Sequence, residues 1–417
     1  MNILYIDHYA GSSSMGMEFR PYYFAKEWQK WGHRVRILAA DYSHLRKANP
    51  TVSGALECQA IDGVEFQWIK TTPYPKNGIK RLWNVAQFLF QLRRHAAEIV
   101  RDFSPDIIIA SSTYPLDTYP AQKMKKIAQE MGIDACLVHE VHDMWPITPK
   151  QLYHLSDRNP VIRYLQRAED SFCRNADFVV SVLPNAKDYF VEHGMAADHF
   201  LYVPNGIASS DWEHPEPLPE EHAHALKRAK EENRFILSFF GSHTPSYGLD
   251  TLLDSAKMLD PSTFFLAFVG EGGYKETLIQ KAKEMGLDSN AYCFLPRIGK
   301  RSIPTLLEHS DASYVAAIRN EMFRFGIGMN KLMDAMMGEK PVLYAVDAPN
   351  NWIEEYDCGI SVEAENAKAL SKGFCELIQL PKERRAQMGT NGKNAMQEFF
   401  LYPHLAKQFL EGITGSK

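Results

Sequence analysis

Short apolar runs alternate with amphipathic stretches along this chain, and the alternation occurs twice. The first half opens with Ile3-Leu-Tyr-Ile6, a polar loop from His8 to Gly16, a helical pattern over Met17 to Trp31, and the apolar run Val35-Arg-Ile-Leu38. Further runs follow at 106–110, 135–138, 178–182 and 200–203. The turn Pro204-Asn-Gly-Ile207 and a stretch rich in Pro, Glu and His up to Glu232 then interrupt the pattern. It restarts at Phe235-Ile-Leu-Ser-Phe-Phe240, continues at 264–269, 291–295, 312–316 and 341–345, and ends in helical patterns over 382–399 and 404–410. Strand-length apolar runs separated by helices predict parallel sheets covered on both faces. The expectation is an α/β chain of two Rossmann-like, doubly wound domains with a cleft between them. Their spans are 1–205 and 233–395, with a polar interdomain linker over 206–232 and a terminal helical segment over 396–417.

A chain of 417 residues is too long for one compact core, which agrees with two domains. The net charge of −5 argues against a nucleic-acid binder. Six cysteines are scattered with no close pair, the pattern of reduced thiols in a cytoplasm and not of a zinc site. No basic leader precedes the first strand, and no run of about 18 apolar residues occurs. A cytoplasmic protein, at most peripheral to a membrane, is expected.

The densest candidate chemistry is Phe325-Gly-Ile-Gly-Met-Asn-Lys-Leu-Met-Asp334. Gly326, Ile327 and Gly328 lead through Met329 and Asn330 to Lys331 at a predicted helix start, with Asp334 one turn on. Unpaired N–H groups and the positive end of the helix dipole suit a diphosphate there. The glycines permit close approach, Lys331 adds a point charge, and Asp334 can accept hydrogen bonds from ribose hydroxyls. An ordinary helix start with a surface lysine has the same spacing. Gly241, Ser242 and His243 form the turn that opens the second half and offer further donors, although Ser and Thr cap helices everywhere. Val269-Gly-Glu-Gly-Gly273 is a weaker glycine turn.

In the first half, the loop containing Gly11, Ser12 and Gly16 lies at a strand's carboxyl end but lacks a Gly-x-Gly-x-x-Gly fingerprint. His139-Glu-Val-His-Asp-Met-Trp-Pro146 is expected to follow the strand at 135–138. Its His142 and Asp143 are candidate catalytic groups able to orient a hydroxyl or a sugar ring oxygen. The His-x-x-His spacing has no further His/Cys cluster beside it, so no metal is expected. From Lys70 to Arg101, seven basic residues face one acid, Glu98, with Trp83, Phe88 and Phe90 between them. Such a segment either lies on an anionic membrane surface or is a domain helix with its apolar stripe on the sheet. Residues 1–205 carry 23 basic and 22 acidic groups, against 23 and 29 in 206–417, which favours the first half as membrane-facing.

Tyr9-Ala-Gly-Ser, Gly16-Met-Glu-Phe-Arg-Pro-Tyr-Tyr23, Ala110-Ser-Ser-Thr-Tyr-Pro115, Glu140-Val-His-Asp-Met-Trp-Pro146, Val203-Pro-Asn-Gly-Ile207, Gly241-Ser-His and Asn330-Lys-Leu-Met-Asp334 together resemble one family over essentially the whole chain. It is the retaining, metal-independent, nucleotide-sugar-dependent glycosyltransferases of family 4, with the GT-B fold. Within it, the chain is similar to the surface-polysaccharide branch typified by L-fucosamine transferases. The resemblance implies a UDP-sugar donor with its diphosphate at Gly326, Ile327, Gly328 and Lys331, and its ribose at Asp334. It implies a base contacted at Pro296-Arg297-Ile298, and a sugar faced by His142. Gly11 and Gly16 would approach diphosphate and acceptor, a lipid-linked glycan, and the last helices would cross back to the first domain. Two features depart from the family. Gly326 stands where a glutamate usually precedes Asp334 by eight residues. Gly241-Ser-His-Thr-Pro-Ser-Tyr247 replaces a frequent Arg and Lys pair, leaving Lys331, backbone amides, Arg319 or Arg324 to meet the phosphate charge. A UDP-N-acetylglucosamine 2-epimerase and a degenerate, non-catalytic sugar-nucleotide-binding subunit remain the alternatives.

Overall fold

The computed structural model describes residues 1–16, 20–74 and 78–415. Met17 of the first expected helix and Lys76 of the basic segment lie outside them. The chain divides into two compact units, Met1–Pro204 with Tyr402–Lys417, and Asn205–Leu401.

The first unit contains β1 (Asn2–Ile6), β2 (Arg34–Ala40), β3 (Leu56–Ile61), β4 (Val64–Ile69), β5 (Ile107–Ala110), β6 (Cys136–Val141), β7 (Phe178–Ser181) and β8 (Phe200–Tyr202). They form one sheet in the order β3-β4-β2-β1-β5-β6-β7-β8. All neighbours run parallel except β3 and β4, which make an antiparallel hairpin. That hairpin departs from the expected all-parallel sheet. Asp62 and Gly63 both take positive φ in its two-residue turn, the geometry that Asp-Gly favours. The principal helices are α1 (Arg20–Lys30), α2 (Ile79–Phe103), α3 (Thr118–Glu130), α4 (Ile147–Leu152) and α5 (Pro160–Asn175). β6 runs three residues past the expected strand end, so His139 and Glu140 belong to the strand and not to a loop. A buried carboxylate is tolerated in the strand because Glu140 is fully partnered, as described below.

The C-terminal helix Tyr402–Thr414 completes this unit by packing on α1. Trp28 Nε1 donates to Ala406 O at 3.0 Å, and Phe24 and Trp28 meet Phe409 with ring centres 5.5 and 5.4 Å apart.

The second unit holds β9 (Phe235–Phe240), β10 (Phe264–Val269), β11 (Tyr292–Leu295), β12 (Ala312–Ala316), β13 (Val342–Ala345) and β14 (Gly359–Ser361). These strands form a parallel sheet in the order β11-β10-β9-β12-β13-β14. In β9, Ile236 and Phe240 enter the core on one face, and Phe235, Leu237 and Phe239 enter the core on the other. This is the near-continuous apolar run of a strand covered on both sides.

The expected linker at 206–232 is a correction. Ile207 pairs with Leu401, and its N–H donates to Phe400 O at 2.9 Å, so the segment starts as part of the second unit. It continues into α6 (Glu220–Glu231), which buries His222, Leu226 and Ala229. These lie at i, i+4 and i+7, one narrow apolar face that the surrounding Pro and Glu residues mask. Among the described residues, no helix is long and apolar enough to cross a membrane.

Candidate functional site

In the second unit, the carboxyl end of β9 turns at Gly241 and passes through a 3-10 turn, Pro245–Tyr247, into α7 (Leu249–Ala256). The turn is packed against the loop after β10 with almost no space between backbones. A Cβ on Gly270 would lie 1.8 Å from Gly241 O, and one on Gly272 would lie 2.1 Å from His243 O. Gly270 and Gly272 of Val269-Gly-Glu-Gly-Gly273 therefore serve the approach of two chain segments. Ser242 is exposed and His243 is buried. Both ring nitrogens of His243 lack a protein partner, and burial together with nearby Lys275 lowers its pKa to about 4, which keeps it neutral.

Lys331 enters this turn from α8 (Asn330–Met337). Its Nζ lies 3.4 Å from the ring centre of Tyr247 and 3.9 Å from that of Phe239. Gly241 takes φ +136°, which disfavours a side chain, and a Cβ there would lie 2.8 Å from the same Nζ and displace the lysine's tip. Nζ is sealed from solvent without a hydrogen-bond partner, although the stem is half-buried. Burial lowers its pKa to about 7. An amine held against two π faces with no anion beside it can take up a proton together with an anionic ligand.

The backbone donors beside it divide into two sets. Gly326 N–H donates to Phe323 O at 2.9 Å, and Ile327 N–H donates to Asn350 Oδ1 at 2.8 Å. Both are therefore occupied, against the expectation that they face a diphosphate. The N–H groups of Gly328, Met329, Asn330 and Lys331 have no protein acceptor among the described residues. They lie at or just before the N-terminus of α8, where the helix leaves donors unpaired. Gly328 O accepts from Asn205 Nδ2 at 2.8 Å, which fixes the loop's orientation.

Asp334 is buried and ion-paired with Lys300 Nζ at 2.5 and 2.6 Å. Burial raises its pKa despite that partner. Arg297 is exposed and Ile298 half-buried in the turn after β11, and Pro296 O is taken by His222 Nε2 at 2.9 Å. Arg319 pairs at the surface with Asp347 and Glu363, so its charge is already met by two carboxylates. Lys275, which sequence reasoning missed, folds back to Glu271 at 2.9 Å and adds a second cation beside the opening turn. Its signal was faint: a helical lysine two residues after a glycine pair.

In the first unit, Glu140 is fully buried at the centre of a network. Arg20 Nε donates to its Oε1 at 2.8 Å, Ser111 Oγ donates to Oε2 at 2.7 Å, and Tyr5 OH also donates to Oε2. Burial raises the Glu140 pKa, but Arg20, His142 and these donors outweigh it and the net shift is downward. Arg20 also donates to Pro204 O at 2.5 Å and Val203 O at 2.9 Å. One guanidinium thus joins the start of α1, β6 and the Val203-Pro-Asn-Gly turn, three motifs far apart in sequence.

His142 Nε2 lies 2.7 Å from Ser111 Oγ. Ser111 spends its proton on Glu140, so the hydrogen-bond network places a proton on His142 Nε2. His139 points to the other face, stacks on Phe172 with ring centres 3.8 Å apart, and is held near a pKa of about 3 by burial. The two histidines cannot share a metal, and among the described residues no group of three or more His, Cys, Asp or Glu is arranged to hold one. Asp143 accepts from Thr148 Oγ1 at 2.7 Å and from Trp145 Nε1 at 3.3 Å, so its carboxylate shapes the turn into α4. Gly11 and Ser12 are buried, and Gly16, half-buried with φ +71°, closes a turn onto Ser12 O.

Residues 15–206 match the family described as glycosyl transferase 4-like domain, and residues 222–395 match glycosyl transferases group 1. A putative colanic acid biosynthesis glycosyl transferase WcaI from Escherichia coli (strain K12) is 23% identical over 396 residues, 92% of each chain. The fold resembles that of a sucrose-phosphate synthase from Thermosynechococcus elongatus, with a TM-score of 0.71 at 14% identity, covering 99% of this chain and 98% of that one. It also resembles Anabaena HepE in complex with UDP, with a TM-score of 0.68 at 16% identity over 100% of both chains.

Proposed function

The chain belongs to the family 4 glycosyltransferases of GT-B fold, and we propose that it moves a hexose or N-acetylhexosamine-type sugar from a UDP-sugar to a lipid-linked glycan, with retention, in bacterial surface-polysaccharide synthesis. The observation that carries the donor assignment is Lys331, a sealed amine without a protein anion, beside the unpaired amides of Gly328 to Lys331. Together they supply positive charge and directed donors for the leaving diphosphate in a site of low polarisability, where such groups act most strongly. In the step proposed, the bond from the anomeric carbon to UDP breaks and the acceptor oxygen bonds that carbon on the same face. The acceptor's proton passes to the departing phosphate oxygen. Because the charge is met by Lys331 and amides, transfer is expected to survive EDTA.

The Lys300–Asp334 pair lies where ribose hydroxyls would exchange hydrogen bonds with both partners, and the turn at Arg297 and Ile298 would contact the base. His142, oriented by Ser111, offers Nδ1 to a sugar hydroxyl and is a positioning group. Gly11, Ser12 and Gly16 shape the loop toward the acceptor. The basic helix α2 within 70–101 gives a peripheral contact with the cytoplasmic face of the membrane.

The test is mass spectrometry of the purified chain with a panel of nucleotide-sugars, with and without cell-derived lipid-linked acceptors and EDTA. A gain of one sugar on an acceptor that persists in EDTA supports the proposal and names the donor. Donor binding without transfer would favour the non-catalytic alternative, and an epimer formed without acceptor would favour the epimerase. In Lys331→Ala, unchanged turnover would refute the diphosphate assignment.

A further inference from the structure

Two exposed apolar clusters lie at the carboxyl edge of the first unit's sheet. One is Ile79, Leu82, Trp83 and Phe90 on α2; the other is Leu152, Tyr153, Val161 and Tyr164 across α4 and α5. These side chains are between 52% and 86% exposed. The start of α2 is placed at this edge by Asn84, whose Oδ1 bonds His8 Nε2 just beyond β1 at 2.7 Å. The start of α5 is placed there by Tyr164, which stacks on Tyr119 at the start of α3 with ring centres 6.4 Å apart. α3 packs against both α2 and α5. Packed helix axes lie about 8–10 Å apart, so the two clusters are separated by about 20 Å along one rim.

The charges beside them are predominantly positive. Residues 79–94 contain Lys80, Arg81, Arg93 and Arg94 and no acid. Around the second cluster, Arg158, Arg163 and Arg167 are exposed; exposed Asp157 is paired with Lys150, Asp170 lies beside Arg174 and His193, and Glu169 is buried. Exposed Trp, Tyr, Leu and Ile among arginines and lysines make up the composition of a surface that enters the headgroup layer of an anionic bilayer.

We propose that the α4–α5 cluster is a second membrane-docking prong, so that the first unit seats on an anionic bilayer at two points. This extends the contact proposed for 70–101 and rests on it, adding a surface which that segment does not contain. A single helix contact leaves the unit free to rotate about it. Two contacts on one rigid unit fix its orientation, and their partition coefficients multiply.

The experiment is co-sedimentation of the full chain with vesicles of phosphatidylcholine containing phosphatidylglycerol, and with phosphatidylcholine alone. The wild type is expected to bind the anionic vesicles, release them at high salt, and leave the neutral ones unbound. Leu152→Ser with Val161→Ser should weaken binding about tenfold or more, as should Leu82→Ser with Trp83→Ser, and the four together should abolish it. UDP-glucose binding should be unchanged in all of them, which separates a lost surface from a lost fold or donor site. Vesicle binding at wild-type strength by the α4–α5 variant would overturn the proposal. So would a wild type that dimerises through this face, seen as a monomer in the variant by sedimentation velocity. Loss of binding in the α4–α5 variant with none in the α2 variant would leave one contact, at α4–α5, and overturn the two-point seating. A wild type that binds no vesicle overturns both contacts.

Discussion

If Lys331 holds the donor's diphosphate, donor binding must carry a proton with it. Burial holds the unliganded residue near a pKa of about 7, against 10.5 for an ordinary lysine. At pH 8 only about a tenth of it is then protonated. A diphosphate against Nζ supplies the anion missing from the protein and returns the pKa toward the ordinary value. Each UDP-glucose bound should therefore take up about 0.9 proton at pH 8, about 0.5 at pH 7 and about 0.1 at pH 6. The diphosphate of UDP-glucose is a diester with no titrating proton near neutrality, so the uptake belongs to the protein. Calorimetry in buffers of different ionisation enthalpy reads it as a slope. Lys331→Arg keeps the charge but stays protonated throughout, so binding should persist while uptake vanishes. Tight binding with less than about 0.2 proton taken up at pH 8 would refute the reasoning. The same shift fixes a sign for stability: between about pH 7 and 10.5 the unfolded chain binds more protons, so the unliganded protein gains stability as pH rises through that window. Lys331→Met should flatten that rise.

Arg20→Met leaves Glu140 buried without its cation and should cost about 3–5 kcal/mol in urea unfolding; adding Glu140→Gln should recover much of it. Because Glu140's pKa is depressed in the folded state, its contribution is present above the ordinary carboxylate range and is lost as pH falls. Lys300→Met should raise the pKa of Asp334 further. The raised pKa makes the carboxylate costly above that pKa, so the variant's loss in thermal midpoint should be larger at neutral than at acid pH. Gly270→Ala should cost about 1–3 kcal/mol by overpacking and abolish donor binding by displacing the opening turn. Gly273→Ala, where an added Cβ meets nothing within 4 Å, should do neither.

The strands were legible where burial on two faces leaves an unbroken apolar run, as in β5 and β9; β4, broken by Glu65 and Gln67, and the three-residue edge strand β14 were not predicted. β3 was not, because Leu56-Glu-Cys-Gln-Ala-Ile61 is an edge strand with one wet face, and only Asp62-Gly63 marked its turn. α6 was hidden because three inward residues among prolines and acids do not stand out from a linker. At the donor site, the helix start and Lys331 were visible as spacing. Which amides remain open was not, since that depends on Asn350, 23 positions from Ile327, and on a 3-10 turn that brings Phe323 O to Gly326. Nor could spacing show that Lys300 meets Asp334, 34 positions away. Ser111 and Arg20 lay within recognisable motifs, but their meeting at Glu140 follows only from the register of β1, β5 and β6.

The helix Tyr402–Thr414 belongs to the unit that begins at Met1. In vectorial synthesis, an N-terminal domain ordinarily folds before its successor emerges. Here the order is reversed at the last step. While 205–401 is being made, Phe24 and Trp28 wait with the ring of Phe409 not yet translated. The second unit is contiguous in sequence, whereas the first reaches its final packing only once residues 402–414 have been made. A released chain truncated after residue 401 should therefore present a protease-resistant second unit and a still-cleavable first one.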